Sequence, residues 1–68
     1  MKTTLVVKRI NKTKPLVEQN LEVCAIFSLE DIRHIEAIGL NSFVIYCLSG
    51  IDYEFDDKEY YDYRLEFE

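Results

Sequence analysis

The residues of this sequence best suited to chemistry are the carboxylates near its C-terminal end. Residues 52–68 interleave eight carboxylates with six aromatic rings and contain only two cations. Paired carboxylates can act as general acid and base when burial shifts their pKa values, but acids along an open, charged strand keep nearly ordinary pKa values. We therefore expect these residues to bind something basic rather than to catalyse a reaction.

Neither the histidine nor the cysteines form a catalytic or metal-binding pattern. His34 has no partner at ligand spacing, and Cys24 and Cys47 lie in apolar runs without a Cys-x-x-Cys spacing. The sequence also lacks a glycine-rich phosphate loop, a nucleophile elbow and an HExxH helix. We expect a non-enzymatic protein without cofactor or metal, whose thiols are free and buried, since a disulfide needs an oxidising compartment that nothing here indicates.

Charge is distributed unevenly along this chain of net charge −5. Residues 1–14 contain five cations and no acid, whereas residues 52–68 contain eight acids and two cations. If a basic first strand lies beside an acidic last strand, the charges pair across the sheet. The alternative is that the acidic end meets a basic partner protein. The net charge argues against direct binding of nucleic acid.

Length and composition predict one small folded domain over residues 1–68. The chain is 49% hydrophobic, with two glycines and one proline. A domain of this size buries only about 60% of its unfolded surface, so we expect a homodimer to add stability. The apolar run before Lys8 is too short for a signal peptide or a membrane span. These features predict a soluble cytoplasmic protein.

A two-residue periodicity predicts strands at both ends of the chain. Residues 3–10 are rich in β-branched side chains and residues 16–27 alternate between apolar and polar, which predicts a hairpin with its turn near Pro15. The alternation returns after residue 60 and predicts a final amphipathic strand with its rings inward and its carboxylates outward.

Ser49-Gly50 lies between two further alternating runs and predicts a hairpin with a two-residue type I′ turn. In that register Tyr46 faces Tyr53, and the acids of residues 51–56 lie on the face that also carries Cys47. Residues 43–48 are apolar on both sides, which predicts a central strand.

Between the hairpins, the spacing predicts a helix of about ten residues over 29–38. Ser28 can serve as the N-cap, with Asp31 near the positive end of the helix dipole, and Gly39 can end the helix. The isoleucines recur at every third residue, at Ile32, Ile35 and Ile38. The alternative is a tight turn followed by a strand through "DIRHIEAI". That isoleucine-glutamate pattern and the later turn resemble those of small all-β regulatory modules such as the LytTR type.

The resulting fold prediction is α+β, a β-β-α-β-β-β order forming a five-stranded, mostly antiparallel sheet with one short helix; the alternative is a small all-β barrel. Carboxylates at alternate strand positions are about 6.6 to 6.8 Å apart, close to the distance between successive phosphates of one DNA strand. In size and charge the chain resembles phage and mobile-element inhibitors such as anti-CRISPR and anti-restriction proteins.

We therefore expect an inhibitor that occupies the basic, nucleic-acid-binding site of a partner protein. The alternatives are a regulatory or assembly subunit and an immunity protein or antitoxin that neutralises a cationic toxin. The expected partner-binding residues are Asp52, Glu54, Asp56, Asp57, Glu59, Tyr60, Asp62 and Glu66.

Overall fold

The structure, a computed structural model, describes residues 2–68 and contains six β-strands. The strands are β1 (Thr4–Asn11), β2 (Leu21–Ser28), β3 (Ile32–Gly39), β4 (Ser42–Cys47), β5 (Asp52–Phe55) and β6 (Tyr61–Phe67). Two single turns of 3-10 helix, Leu16–Glu18 and Leu29–Asp31, are the helical segments of this part of the chain. None of its helices is long and apolar enough to cross a membrane.

The strands form two three-stranded sheets, in which all neighbours are antiparallel. The first sheet has the order β2-β1-β6 and the second has the order β3-β4-β5. The hairpin of the first two strands and the final amphipathic strand meet in the first sheet, so the two ends of the chain lie side by side. The fold is all-β.

The predicted five-stranded sheet with a helix over 29–38 is therefore wrong. The Ser28 side chain makes no capping hydrogen bond, and the chain leaves the 3-10 turn at Ile32 with extended dihedral angles (φ −95°, ψ 126°). Residues 32 to 39 then pair with β4. The branched side chain of isoleucine has restricted χ1 rotamers, which lowers its helix propensity and suits it to a β-strand. These residues therefore form a strand paired with β4.

A β-bulge explains why these isoleucines repeat with a helical spacing. The register shifts between Ile32 and His34, so that Ile32 lies opposite Cys47 and Ile35 lies opposite Ile45. The two β4 residues are two positions apart, but their β3 partners are three apart because the bulge inserts one residue. Because of the bulge, two isoleucines three residues apart in β3 both pack against the hydrophobic core.

The barrel of the alternative prediction is also wrong, because the two sheets remain separate and do not close. They are held together by one hydrophobic cluster between them. Its buried members come from β1, β4 and β6: Leu5, Val7, Ile45, Cys47 and Tyr63. Edge-to-face ring contacts support it, with ring centroids 5.2 Å apart for Phe27 and Tyr53 and 5.6 Å apart for Phe55 and Tyr63.

Candidate functional site

The fold distributes the eight expected partner-binding residues over three places rather than one face. Asp52 and Glu54 lie on β5, Asp56, Asp57, Glu59 and Tyr60 lie in the connection between β5 and β6, and Asp62 and Glu66 lie on β6. Because β5 and β6 belong to different sheets, the two strand pairs cannot act as one continuous surface. Each place has its own electrostatic environment.

The carboxylates of β6 are paired with two lysines on the outer face of the first sheet, Lys8 of β1 and Lys12, which directly follows β1. Lys8 Nζ lies 2.6 Å from Glu66 Oε2, and Lys12 Nζ lies 3.4 Å from Asp62 Oδ1. The hydrogen bond with Glu66 raises the pKa of Lys8. The basic first strand therefore neutralises the acidic last strand across the sheet, as the pairing hypothesis required.

The four residues of the β5–β6 connection mostly shape the turn. The Asp57 carboxylate accepts a hydrogen bond from the Tyr60 amide at 3.2 Å, and the Asp57 carbonyl oxygen accepts one from the Tyr61 amide at 2.9 Å. Asp56 lies 3.9 Å from the Lys58 ammonium. Glu59 and Tyr60 are exposed.

The carboxylates of β5 lie on the outer face of the second sheet. Asp52 is opposite Tyr46 and Glu54 is opposite Val44. The sequence-based register, with Tyr46 facing Tyr53 and the acids on the face of Cys47, is wrong by one residue. Both carboxylates are exposed, and across residues 2–68 no cation lies within 4.0 Å of either of them.

Strand β3 adds two further side chains to this outer face. His34 lies opposite Tyr46 and Glu36 lies opposite Val44. The face therefore has two cross-strand rows, which we call the acidic face: His34, Tyr46 and Asp52 in one row, and Glu36, Val44 and Glu54 in the other. Sequence reasoning missed the β3 members because it placed them on a helix.

Tyr46 lies at the centre of the acidic face and fixes its local geometry. Its hydroxyl donates a hydrogen bond to Glu36 Oε2 at 3.1 Å, and its ring stacks on His34 with centroids 5.7 Å apart. The Arg33 guanidinium lies 5.8 Å from the same ring. The hydrogen bond with Glu36 raises the pKa of the Tyr46 hydroxyl. An open depression of about 300 Å³ lies between these four side chains.

The thiols are not placed for chemistry. Both cysteines are free, Cys47 is buried in the core, and the Cys24 thiol donates to the Val7 carbonyl oxygen at 3.4 Å. Burial raises the pKa of Cys24, which disfavours the reactive thiolate. Within residues 2–68, no group of three or more His, Cys, Asp and Glu side chains is arranged to hold a metal ion.

Comparison of the chain with models of known families, with curated proteins and with solved structures finds no significant match. The candidate function therefore depends on the geometry and charge of the surface itself.

Proposed function

We propose that this protein is a non-enzymatic module that binds a basic surface of a partner protein through the acidic face. The supporting observation is that the carboxylates of the two sheets differ in ion pairing. Asp62 and Glu66 are paired with lysines, whereas Asp52 and Glu54 are exposed and have no cation within 4.0 Å among the described residues. Unpaired carboxylates contribute little to folding but steer association with a cationic partner.

Shape and rigidity favour the same face. Tyr46 presents an aromatic surface held by Glu36 and His34, and rigid aromatic side chains are frequent anchors of protein interfaces. Asp52 and Glu54 occupy alternate positions of one strand, so their separation of about 6.6 to 6.8 Å approaches that of successive phosphates in one DNA strand. We therefore propose that the partner's basic surface is a nucleic-acid-binding site and that the protein acts as an inhibitor, as small phage proteins do.

A regulatory or assembly subunit is the second candidate, favoured by the exposed aliphatic side chains. Ile26, Leu48 and Ile51 are each more than half exposed, which is typical of surfaces that other proteins cover. An immunity protein that neutralises a cationic toxin would use the acidic face in the same way as an inhibitor. The identity of the captured partner distinguishes the immunity role from the inhibitor role.

The experiment compares two charge-neutralised variants in affinity capture from extracts of the native host. Asp52→Asn with Glu54→Gln removes the unpaired carboxylates, and Asp62→Asn with Glu66→Gln removes the same charge from the paired ones. We expect the first variant to lose the partner and the second to retain it. Raising salt from about 0.1 M to 1 M shortens the screening length from about 10 to 3 Å and should release the partner from the wild-type protein.

Competition then tests the inhibitor role. Duplex DNA or RNA added to the complex should displace the protein if both bind one basic site of the partner. Retention of the partner by the first variant, or equal loss from both variants, would reject the acidic face as the binding surface. A salt-sensitive complex that nucleic acid does not displace would support the immunity or regulatory role instead.

A further inference from the structure

One edge strand of the molecule differs from the other three in charge. Strands β3, β5 and β6 each carry two or more charged side chains, which oppose pairing with another chain. Strand β2, with the sequence LEVCAIFS, carries only Glu22. Glu22 is paired with Arg9 of β1 at 3.0 Å, so the β2 edge carries little net charge.

The outer surface of β2 is also apolar. Leu21, Val23 and Ile26 are 47%, 55% and 66% exposed, respectively, although such side chains are usually buried in a domain. They follow one another along the strand and form, with its open edge, what we call the β2 edge. An apolar edge with little net charge readily accepts another strand.

The backbone groups that face outward on β2 can be assigned from one hydrogen bond. The Leu29 amide donates to the Thr3 carbonyl oxygen at 2.9 Å, so the backbone groups of Leu29 point towards β1. Backbone groups alternate in direction along an antiparallel strand. Those of Phe27 therefore also point towards β1, and those of Ile26 and Ser28 point towards the open edge.

A bulge limits the usable length of this edge. Val7 pairs with Ala25 and Lys8 pairs with Val23, which leaves Cys24 as an extra residue on β2. Bulges bend a strand and increase its twist, so the regular stretch is residues 25–28, and Ile26 lies within it.

We propose that the β2 edge pairs antiparallel with the β2 edge of a second copy of this chain, around a two-fold axis at Phe27. In this arrangement Ile26 of one copy lies opposite Ser28 of the other, and the two such pairs exchange backbone hydrogen bonds within residues 25–28, which joins two three-stranded sheets into one of six strands. A second copy is favoured because two chains of net charge −5 repel each other except where the surface is neutral, and this edge is neutral.

The same arrangement leaves the acidic face free, because that face belongs to the other sheet. A dimer would therefore present two copies of the acidic face, and simultaneous engagement of two basic sites would strengthen binding. The dimer does not depend on the binding role proposed for the acidic face, since the β2 edge and the acidic face share no residues.

Sedimentation equilibrium over a range of protein concentrations tests the dimer. Ile26→Lys places a charge within the pairing, and Leu40→Lys is the matched control, since it makes the same change at an 87% exposed position in the β3–β4 turn. We expect Ile26→Lys to raise the dimer dissociation constant at least about tenfold, equivalent to about 1.4 kcal/mol. Leu40→Lys should leave the constant unchanged.

Ser28→Pro provides a second variant that preserves the fold. Ser28 has φ −75°, which proline adopts without strain, and its amide points to the open edge rather than to β1. Loss of dimer in Ser28→Pro with an unchanged circular dichroism spectrum supports the proposal. A monomeric wild-type protein, a dimer that survives both β2 variants, or an equal effect of Leu40→Lys would overturn it, the second of these indicating that a different surface mediates association.

Discussion

The amide of Gly50 donates a hydrogen bond to the carbonyl oxygen of Cys47 at 3.0 Å, and this bond makes the connection of β4 to β5 a three-residue loop. The next bond along the hairpin joins the Cys47 amide to the Ile51 carbonyl oxygen at 3.1 Å. Such loops combine a turn with a residue of positive φ that forms a bulge, and Gly50 has φ +90°. The extra loop residue shifts the register by one and places Asp52, rather than Tyr53, opposite Tyr46.

Gly50→Val should destabilise the fold because of this positive φ. A Cβ atom at Gly50 would meet no heavy atom within 4 Å, so the cost comes from the backbone alone. We expect a loss of roughly 1–2 kcal/mol in the free energy of unfolding, measured by urea denaturation. Gly50→Asn is the control and should cost less, since asparagine tolerates positive φ better than valine. Equal stability of all three proteins would contradict the loop geometry.

Ser28→Ala should have little effect on stability. A helix N-cap at this position would make the substitution cost about 0.5 to 2 kcal/mol. In the structure the exposed Ser28 side chain makes no capping hydrogen bond, so we expect a change within about 0.5 kcal/mol, as for most surface positions. Urea denaturation of the two proteins at the same concentration measures the difference, and a loss larger than 1 kcal/mol would indicate a cap after all.

The paired and unpaired carboxylates should differ in their effects on thermal stability. Removing Asp62 and Glu66, as Asn and Gln, takes away the partners of Lys12 and Lys8 and should lower the melting temperature. The same changes at Asp52 and Glu54 remove repulsion without breaking an ion pair and should leave it unchanged or raise it.

Salt provides the control for that comparison. The difference between the two variants should shrink at about 1 M salt, where the screening length falls to about 3 Å. Equal melting temperatures at low salt would show that the pairs on the first sheet contribute nothing measurable.

The free energy of unfolding should fall as the pH rises above about 9, first because burial raises the pKa of the Cys24 thiol above its ordinary value of 9.0. Burial raises the pKa of Tyr63 above its ordinary value of 10.0, and hydrogen bonds with Glu36 and Glu66 raise those of Tyr46 and Lys8, respectively. A raised pKa means that the folded state holds the proton more tightly than the unfolded state. The contribution of Cys24 is fully present below pH 9 and those of the tyrosines and Lys8 are fully present below pH 10; each is lost as the pH passes through the raised pKa.

Urea denaturation at a series of pH values between about 8 and 11 measures this loss. Glu36→Gln should lower the tyrosinate titration midpoint of Tyr46 towards that of a free tyrosine and leave Tyr63 unchanged. A stability that stays constant over this range would contradict the shifts.

Several strands could be predicted from the sequence because the alternation of apolar and polar side chains depends only on neighbouring residues. The hairpin of β1 and β2, the strand character of β4 and β5, and the amphipathic β6 follow from side chains that alternate between two faces, whatever the rest of the chain does. The uneven charge along the sequence allowed two interpretations, and ion pairing between the basic first strand and the acidic last strand was one of them. The exposed position of the acids also follows from the composition of those strands.

Tertiary structure decided the features that depend on which strands meet. The isoleucines of β3 repeat every third residue, and only pairing with β4 through a bulge makes that spacing compatible with a strand rather than a helix. The register of β4 and β5 depends on one extra loop residue, which "SG" alone does not reveal.

The candidate site also depends on which strands pair in the folded protein. The sequence by itself determined that the C-terminal end is acidic, aromatic and strand-forming. The division into two sheets places Asp62 and Glu66 beside Lys12 and Lys8, whereas Asp52 and Glu54 share a face with Glu36 and Tyr46. Periodicity is set by neighbours along the chain, but whether a charge is neutralised depends on residues far away in sequence, which only the packed fold brings within reach.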